Sequence, residues 1–564
     1  MQLGDAGELL FRNGTVFDGR SFLPPGTCIR VSRGTVTGIG PEEALQPSGR
    51  PDAAEPVDLD GGTLLPGFID AHAHPVFAGN QLRRCDLRGA ETAEGYLEII
   101  AAYAREHPGE EWITGGGWAM AAFPGGIPTR QALDAVTGDR PAFLPNRDGH
   151  GSWVNSAALR VAGIDAATPD PADGRIERDE RGEPLGMLQE GAANLVSRLV
   201  PVPTGEDWYQ ALLTAQDYLL SLGITGWQDA IIGRGHGDAD PAAAYLRAAQ
   251  AGTLHATVVG ALWWDRDRGL EQLPELLELR QAASGEQAGP GGRFRATSVK
   301  MMLDGVAENH TAAMLEPYLD GDGCATGHAG LDFIDPERLP GYVTALDREG
   351  FQVHFHALGD RAVRNALDAV AAARGARAAS GGAGPGGRHH LAHLQVVHPD
   401  DVPRFAALGA TANIQALWAT HEPQMDELTI PFLGERRSGW QYPFRSLQAS
   451  GAPMCGGSDW PVSSPNPLWA AHVAVNRSLP RAAGGNAADP FLPQQRLALA
   501  SFLAAYTSGS ARTNGVEAVA GSVREGMDAD FAIVNADLSH IGDHEIANAA
   551  VAATWVRGQL AYQQ

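Results

Sequence analysis

The chain has 564 residues, 44% hydrophobic and 19% charged, with a formal net charge of −25 at pH 7. That length exceeds one simple core, and the composition is that of a soluble globular protein rather than a disordered or fibrous one. The acidic balance weighs against nucleic acid and anionic membrane as partners, because both select a basic surface. The four cysteines, Cys28, Cys85, Cys324 and Cys455, are scattered and form no CxxC pair. They argue against a disulfide framework and fit a reduced, cytoplasmic setting. The acidic opening "MQLGDAGELL" lacks signal-peptide character. No apolar run approaches the roughly 18 residues of a membrane span.

In chain order, residues 1–66 read as short strands. "ELLFRNGTVFDG" and "CIRVSRGTVTGIG" each place a turn pair between apolar runs and predict hairpins. "DADFAIVNADL" and "VAATWVRGQLAYQ" near the C-terminus share that texture. Residues 1–66 and 510–564 are therefore expected to build one small β-sandwich from both termini. Residues 67–509 alternate short apolar runs with helical stretches such as "DRAVRNALDAVAAARGA", the pattern of repeated βα units. Eight strands are predicted: "TLLPGFIDAHAH", "GITGWQDA", "HATVVGALWW", "ATSVKMMLDG", "FQVHFHALGD", "HHLAHLQVV", "ATANIQA" and "APMCGGSDWPV". Eight βα units close into an α/β, TIM-like (β/α)8 barrel. A long insertion, about 75–220, follows the first strand and is expected to fold over the barrel mouth and shape the pocket. "ASGEQAGPGGRF" and "AASGGAGPGGRHH" lie just before strands. They read as flexible insertions on the face away from the chemistry, not as phosphate cradles.

The residues that end these strands carry the chemistry. His72 and His74 are two apart, so on a strand they share one face. An imidazole pair there suits Zn, Fe, Ni or Mn. The fourth strand carries Lys300, the fifth His354 and His356, and the sixth His389, His390 and His393. The eighth leads into Asp459. Barrel closure would converge these residues at the C-terminal face. Each has an ordinary alternative: a helix cap for Asp459, packing for His393, a surface ion pair for Lys300. Their joint occurrence in this order is the signal. Lys300 is the single lysine among 42 basic residues. Its flanks, "SVKMML", are apolar, and a lone buried ammonium is costly. Unlike a guanidinium, an amine can lose its proton. It can then add to carbon dioxide, giving a carbamate whose two oxygens can bridge two cations.

Taken together, these motifs resemble the amidohydrolase superfamily. Within it the chain is similar to amidohydrolase family 3, the branch of N-substituted formamide deformylase-like metal-dependent hydrolases. "PGFIDAHAHP" matches the opening motif. "DGHGSWVNSAAL", "VKMMLDG", "HFHALGDRAV", "HLQ", "GGSDWPV" and "GMDADFAIVN" follow in family order over nearly the whole chain. The resemblance implies one or two divalent metal ions, zinc first among them. His72 and His74 would bind the first ion, and His356 and His393 the second. Carbamylated Lys300 would bridge them, and Asp459 would bind the first ion and shuttle protons.

The implied reaction is attack of metal-activated hydroxide on the C–N (amide) bond of a small N-acyl or N-formyl substrate. His150, from the insertion motif, would donate to the tetrahedral intermediate. Trp118, Trp153, Asn155, Glu190 and Asp304 are expected at the substrate pocket, with Glu190 as a candidate extra ligand. Trp263, Trp264, Trp418 and Trp460 lie in predicted mouth segments, and an aromatic wall would favour an apolar substrate. The expected partner is a small molecule, with no nucleic acid and no membrane; a homodimer is compatible with this scaffold. Cyclic amide, carbamate or ester hydrolysis and deamination are alternatives on the same scaffold, as is a non-catalytic barrel relative. Deaminases of the superfamily place a glutamate shortly after the fifth-strand histidine. Here Ala357, Leu358 and Gly359 follow, and then Asp360.

Overall fold

A computed structural model describes residues 7–45, 54–233, 241–284, 292–381, 386–483, 485 and 487–564. Its centre is one eight-stranded sheet whose strands neighbour each other in chain order. The strands are β1 (Phe68–Ala73), β2 (Ile224–Ile232), β3 (Thr257–Trp263) and β4 (Phe294–Met302). They continue with β5 (Gln352–Ala357), β6 (His390–His393), β7 (Thr411–Ile414) and β8 (Met454–Gly456). Every neighbouring pair is parallel. Helices cover the outside, so most strand positions are buried on both faces, which explains their continuous apolar runs. The chain just beyond β8 returns to β1: Asp459 N donates to His72 O at 2.7 Å, and His74 N to Trp460 O at 2.7 Å. That crossing needs glycine at 457, where a Cβ would come within 2.7 Å of His72 Cβ. All eight predicted strands are present, and the barrel is the expected TIM-like one.

Register sets the heights of the candidate ligands. Lys300 pairs with His354 and Met302 with His356 across β4 and β5; His354 pairs with His390 and Ala357 with His393 across β5 and β6. His354 and Lys300 therefore lie one layer below His356 and His393.

Two further sheets pack around Phe11, Ile29, Val31, Leu64 and Phe531. One joins four N-terminal strands; the other joins Thr15–Val16 and Thr63–Pro66 to Phe531–Val534, Val551–Val556 and Gln559–Gln563. This is the sandwich built from both termini. "CIRVSRGTVTGIG" forms the predicted hairpin, turning at Arg33 and Gly34. "ELLFRNGTVFDG" does not. Glu8–Arg12 pairs with Thr27–Ser32 and Glu55–Asp58, while Thr15–Val16 pairs with Thr63–Pro66 in the other sheet. Its Asn-Gly is a crossover between layers, because each run finds a better-buried partner elsewhere.

The insertion after β1 carries a six-stranded sheet that includes Ala142–Pro145, Gly151–Val154 and Pro184–Glu190. The centres of the two Gly/Ala-rich stretches, 285–291 and 382–385, lie outside the described residues. No helix among the described residues is long and apolar enough to cross a membrane.

Candidate active site

At the C-terminal mouth, His72 from β1, His74 just beyond it, His393 from β6 and Asp459 after β8 converge. Asp459 Oδ1 lies 3.1 Å from His72 Nε2 and 3.1 Å from His74 Nε2, and Oδ2 lies 3.8 Å from His393 Nδ1. These approaches lack hydrogen-bond alignment. His72 Nε2, His74 Nδ1, His393 Nδ1 and Asp459 Oδ1 are all buried with no hydrogen-bond partner. Buried polar atoms are normally paired, so the gathering of the unpartnered His72, His393 and Asp459 atoms is the signature of a cation site; the orphaned Nδ1 of His74 is the nitrogen that does not face Asp459. His72, His393 and Asp459 are the one group of three or more His, Cys, Asp or Glu placed to hold a metal ion among the described residues. The donor set of imidazoles and one carboxylate fits a divalent transition metal. His393 and Asp459 hold φ of 79° and 58°. Non-glycine residues keep such conformations only where the surroundings over-determine them.

Lys300 is 1% exposed. Burial draws its pKa down to about 8, against the opposing pull of Asp459 and Asp229. Burial thus favours loss of the ammonium proton relative to a solvent-exposed lysine. Burial, and then neighbouring histidines and Lys300, holds His72, His354, His356 and His393 well below the usual imidazole range. Burial pushes the Asp459 carboxyl up, but His72, His74 and His393 override this and keep it well below the usual carboxylate range.

The His356 ring lies 4.5 Å from that of His393, with Nε2 turned to the Gly305 carbonyl at 3.4 Å. Both nitrogens of His354 are engaged, by His72 and Gln228. His389 and His390 likewise have both nitrogens engaged.

The insertion reaches the mouth through His150 and Glu190, brought together because their strands pair Gly151 with Gln189. His150 Nδ1 lies 3.1 and 2.9 Å from the two Glu190 oxygens. Thr311 Oγ1 donates to the same carboxylate at 2.7 Å. Burial opposes charge on His150, but Glu190, Asp148 and Asp459 outweigh it and lift its pKa to about 9. Its ring is 5.5 Å from that of His356, beside the candidate metal ligands. Gly305 permits this approach: a Cβ there would stand 2.5 Å from Glu190 Oε1.

Four expected pocket residues have their polar atoms bonded within the fold, and Asp304 Oδ1 also lies 3.8 Å from His356 Nε2. Trp118 and Trp153 are fully buried in the core of the insertion, and their indole N–H groups donate to the carbonyls of Leu144 and Thr129. Asn155 caps the helix Ser156–Ala162 and bonds Ala142 N, Thr137 Oγ1 and Arg140 O. Asp304 is completely buried and accepts the backbone N–H groups of Ala313, Leu358 and Gly359, with burial raising its carboxyl to about 7. It ties the loop after β4 to the end of β5. Asp360 accepts Leu315 N at 2.8 Å.

Sequence reasoning missed Gln228 of β2, which meets both His354 and His390. The alternation of β2 was the available clue. Trp418 was one of several tryptophans expected at the mouth. It stacks on His393 at 5.1 Å, within 4° of parallel, and is only partly buried.

A model described as "Amidohydrolase family" matches residues 55–562. "Protein LONG AFTER FAR-RED 3" of Arabidopsis thaliana is 29% identical over 99% of this chain and 92% of its own length. "N-substituted formamide deformylase" of Arthrobacter pascens is 28% identical over 95% of each. In fold, the chain is similar to an uncharacterized metal-dependent hydrolase from Pyrococcus horikoshii OT3. The TM-score is 0.70 at 24% identity, over 95% of this chain and 99% of that one.

Proposed function

Because the chain belongs to the Amidohydrolase family of metal-dependent hydrolases, we propose that it hydrolyses the C–N bond of a small, apolar N-acyl or N-formyl amide. The observation that carries this reading is the gathering of unpartnered His72, His393 and Asp459 atoms at the barrel mouth, with His74 Nε2 beside Asp459. The formamide deformylase relative supports the amide class. In this reading His72, His74 and Asp459 would hold one divalent ion, zinc first among the candidates. His356 and His393 would hold a second, with carbamylated Lys300 as a further ligand.

A bound ion of this kind acidifies water toward neutrality and polarises a carbonyl. The protein's own residues do the rest. Asp459, kept ionised by its imidazole neighbours, accepts a proton from the attacking water and returns it to the departing nitrogen. His150, favoured as an imidazolium by the Glu190 carboxylate that Thr311 also bonds, donates to the oxygen that gains charge in the transition state. The exposed part of Trp418, beside His393, offers an apolar wall for the substituent on nitrogen. Asp304 and Asp360 are occupied by backbone N–H groups. Neither is free for the proton shuttle that a deaminase needs after β5. The same reading puts the protein in the cytoplasm, acting on a small molecule, alone or as a homodimer.

The test is a substrate panel with metal-reconstituted protein: N-formyl and N-acyl amines against cyclic amides, carbamates, esters and aminated nucleobases. Metal-dependent turnover of the open-chain amides is expected. Turnover confined to another class, or independent of added metal, would overturn the proposal.

A further inference from the structure

We infer that Gln228 is a positioning residue that sets which nitrogen of His72 faces the metal, by fixing the direction of a buried hydrogen-bond chain. The inference rests on the metal-site reading above. Amide orientation and imidazole tautomer are decided by the network around them, and here the network ends on groups that cannot be turned round.

The first end is at Gln352. Its Nε2 lies 2.6 Å from the Thr513 carbonyl and 2.8 Å from the Arg388 carbonyl. Backbone carbonyls only accept, so that atom is the nitrogen and Gln352 Oε1 is the oxygen. The oxygen faces Gln228 Nε2 at 3.1 Å, and the same nitrogen faces Asn514 Oδ1 at 3.1 Å. Gln228 Oε1 therefore points the other way, toward His354 Nδ1 at 2.6 Å and His390 Nε2 at 3.0 Å. Both ring nitrogens must carry hydrogen.

The second end gives the same answer independently. Asn413 Nδ2 donates to the Ala71 carbonyl at 3.0 Å, which fixes it as nitrogen, and it meets His390 Nδ1 at 3.1 Å. His390 Nδ1 is then the acceptor, and its hydrogen sits on Nε2, facing Gln228 Oε1. Two chains that start from different backbone carbonyls meet at one oxygen.

With its hydrogen on Nδ1, neutral His354 presents a lone pair at Nε2, 2.7 Å from His72 Nδ1. His72 supplies the hydrogen of that bond, and its own lone pair is left on Nε2, the atom 3.1 Å from Asp459 Oδ1. An inverted Gln228 would set N–H against N–H and turn the hydrogen of His72 toward the metal. Gln228, His354, His390 and Asn413 are all fully buried, so water cannot repair an inversion.

The test compares Gln228→Leu with Gln228→Glu in metal-stripped protein, using zinc alone and a competing chelator. Glutamate keeps the acceptors for both imidazoles; leucine has none. Zinc affinity should fall about 10–100-fold in Gln228→Leu and stay within about threefold of the parent in Gln228→Glu, as for other outer-shell partners of ligating histidines. A packing role reverses the order, because a buried leucine is tolerated better than a buried carboxylate. Parental zinc affinity in Gln228→Leu, or Gln228→Glu as weak as Gln228→Leu, overturns the inference. If Gln228→Leu does not fold, Gln228→Met, unbranched and of similar length, also lacks the acceptor; it should weaken zinc binding, and unchanged affinity overturns the inference. Failure of the functional proposal looks different: the unmutated protein would itself bind no zinc or turn over no amide.

Discussion

The core of the insertion and the mouth of the barrel are both buried and both rich in ring side chains, but they treat their polar atoms in opposite ways. In the insertion, Trp118 and Trp153 each hand their N–H to a backbone carbonyl, and Asn155 is bonded on every side. At the mouth, two imidazole nitrogens and a carboxylate oxygen that face one another are buried with nothing to bond. Single unpartnered atoms occur elsewhere, Trp264 Nε1 among them. Only at the mouth do ligand-type atoms gather within 4.8 Å of one another, among the described residues. A satisfied ring is packing; a gathered set of unsatisfied ones is a place prepared for something else.

The sharpest way to break this contrast is at Lys300. Lys300→Arg should abolish turnover and lower metal content, because a guanidinium cannot become a bridging anion. Near-normal turnover would remove the bridging idea. Lys300→Ala should regain part of its activity when short carboxylic acids are supplied as a replacement bridge. Next is Asp459→Asn, which should lower kcat by about 10²–10⁴ as the proton acceptor is lost. It should retain metal better than activity, and equal loss of both would point to a structural role. Removing the His150 donor should cost about 10²–10³ in kcat. The imidazolium is present below its pKa of about 9 and lost above it, so activity should decline through pH 9. His150→Gln should lack that decline. Glu190→Gln, which removes the main partner raising His150, should move it to lower pH. At the small end, Trp118→Ala should leave kcat/KM nearly unchanged while stability falls by about 3–5 kcal/mol, as for other buried large-to-small changes. A marked loss of kcat/KM at constant fold would return Trp118 to the pocket.

Much of this was legible before any coordinates. The eight strands were readable because burial on both faces leaves a run of apolar residues that no distant contact rewrites. His72, His393 and Asp459, which the structure gathers, could be grouped because barrel closure brings strand ends together whatever the loops do. The hairpin assigned to "ELLFRNGTVFDG" failed because a turn signal says that the chain bends, not which strand it meets. Trp118 and Trp153 were placed at the mouth because an aromatic residue carries no mark of whether its ring faces a cavity or a core. Asn155 and Asp304 look like pocket polars until their backbone partners, tens of residues away, come into view.

The order of strands, the residue types at their ends and the solitary lysine are properties of the sequence by itself, since local pattern and chemical identity do not depend on packing. The tertiary structure alone decided that the insertion brings His150 and Glu190 beside His356 while Trp118 and Trp153 pack inside it. It alone decided that Gln228, with no motif around it, stands between two buried histidines. Lone pairs have direction, and direction is set only when side chains from distant strands are locked against one another.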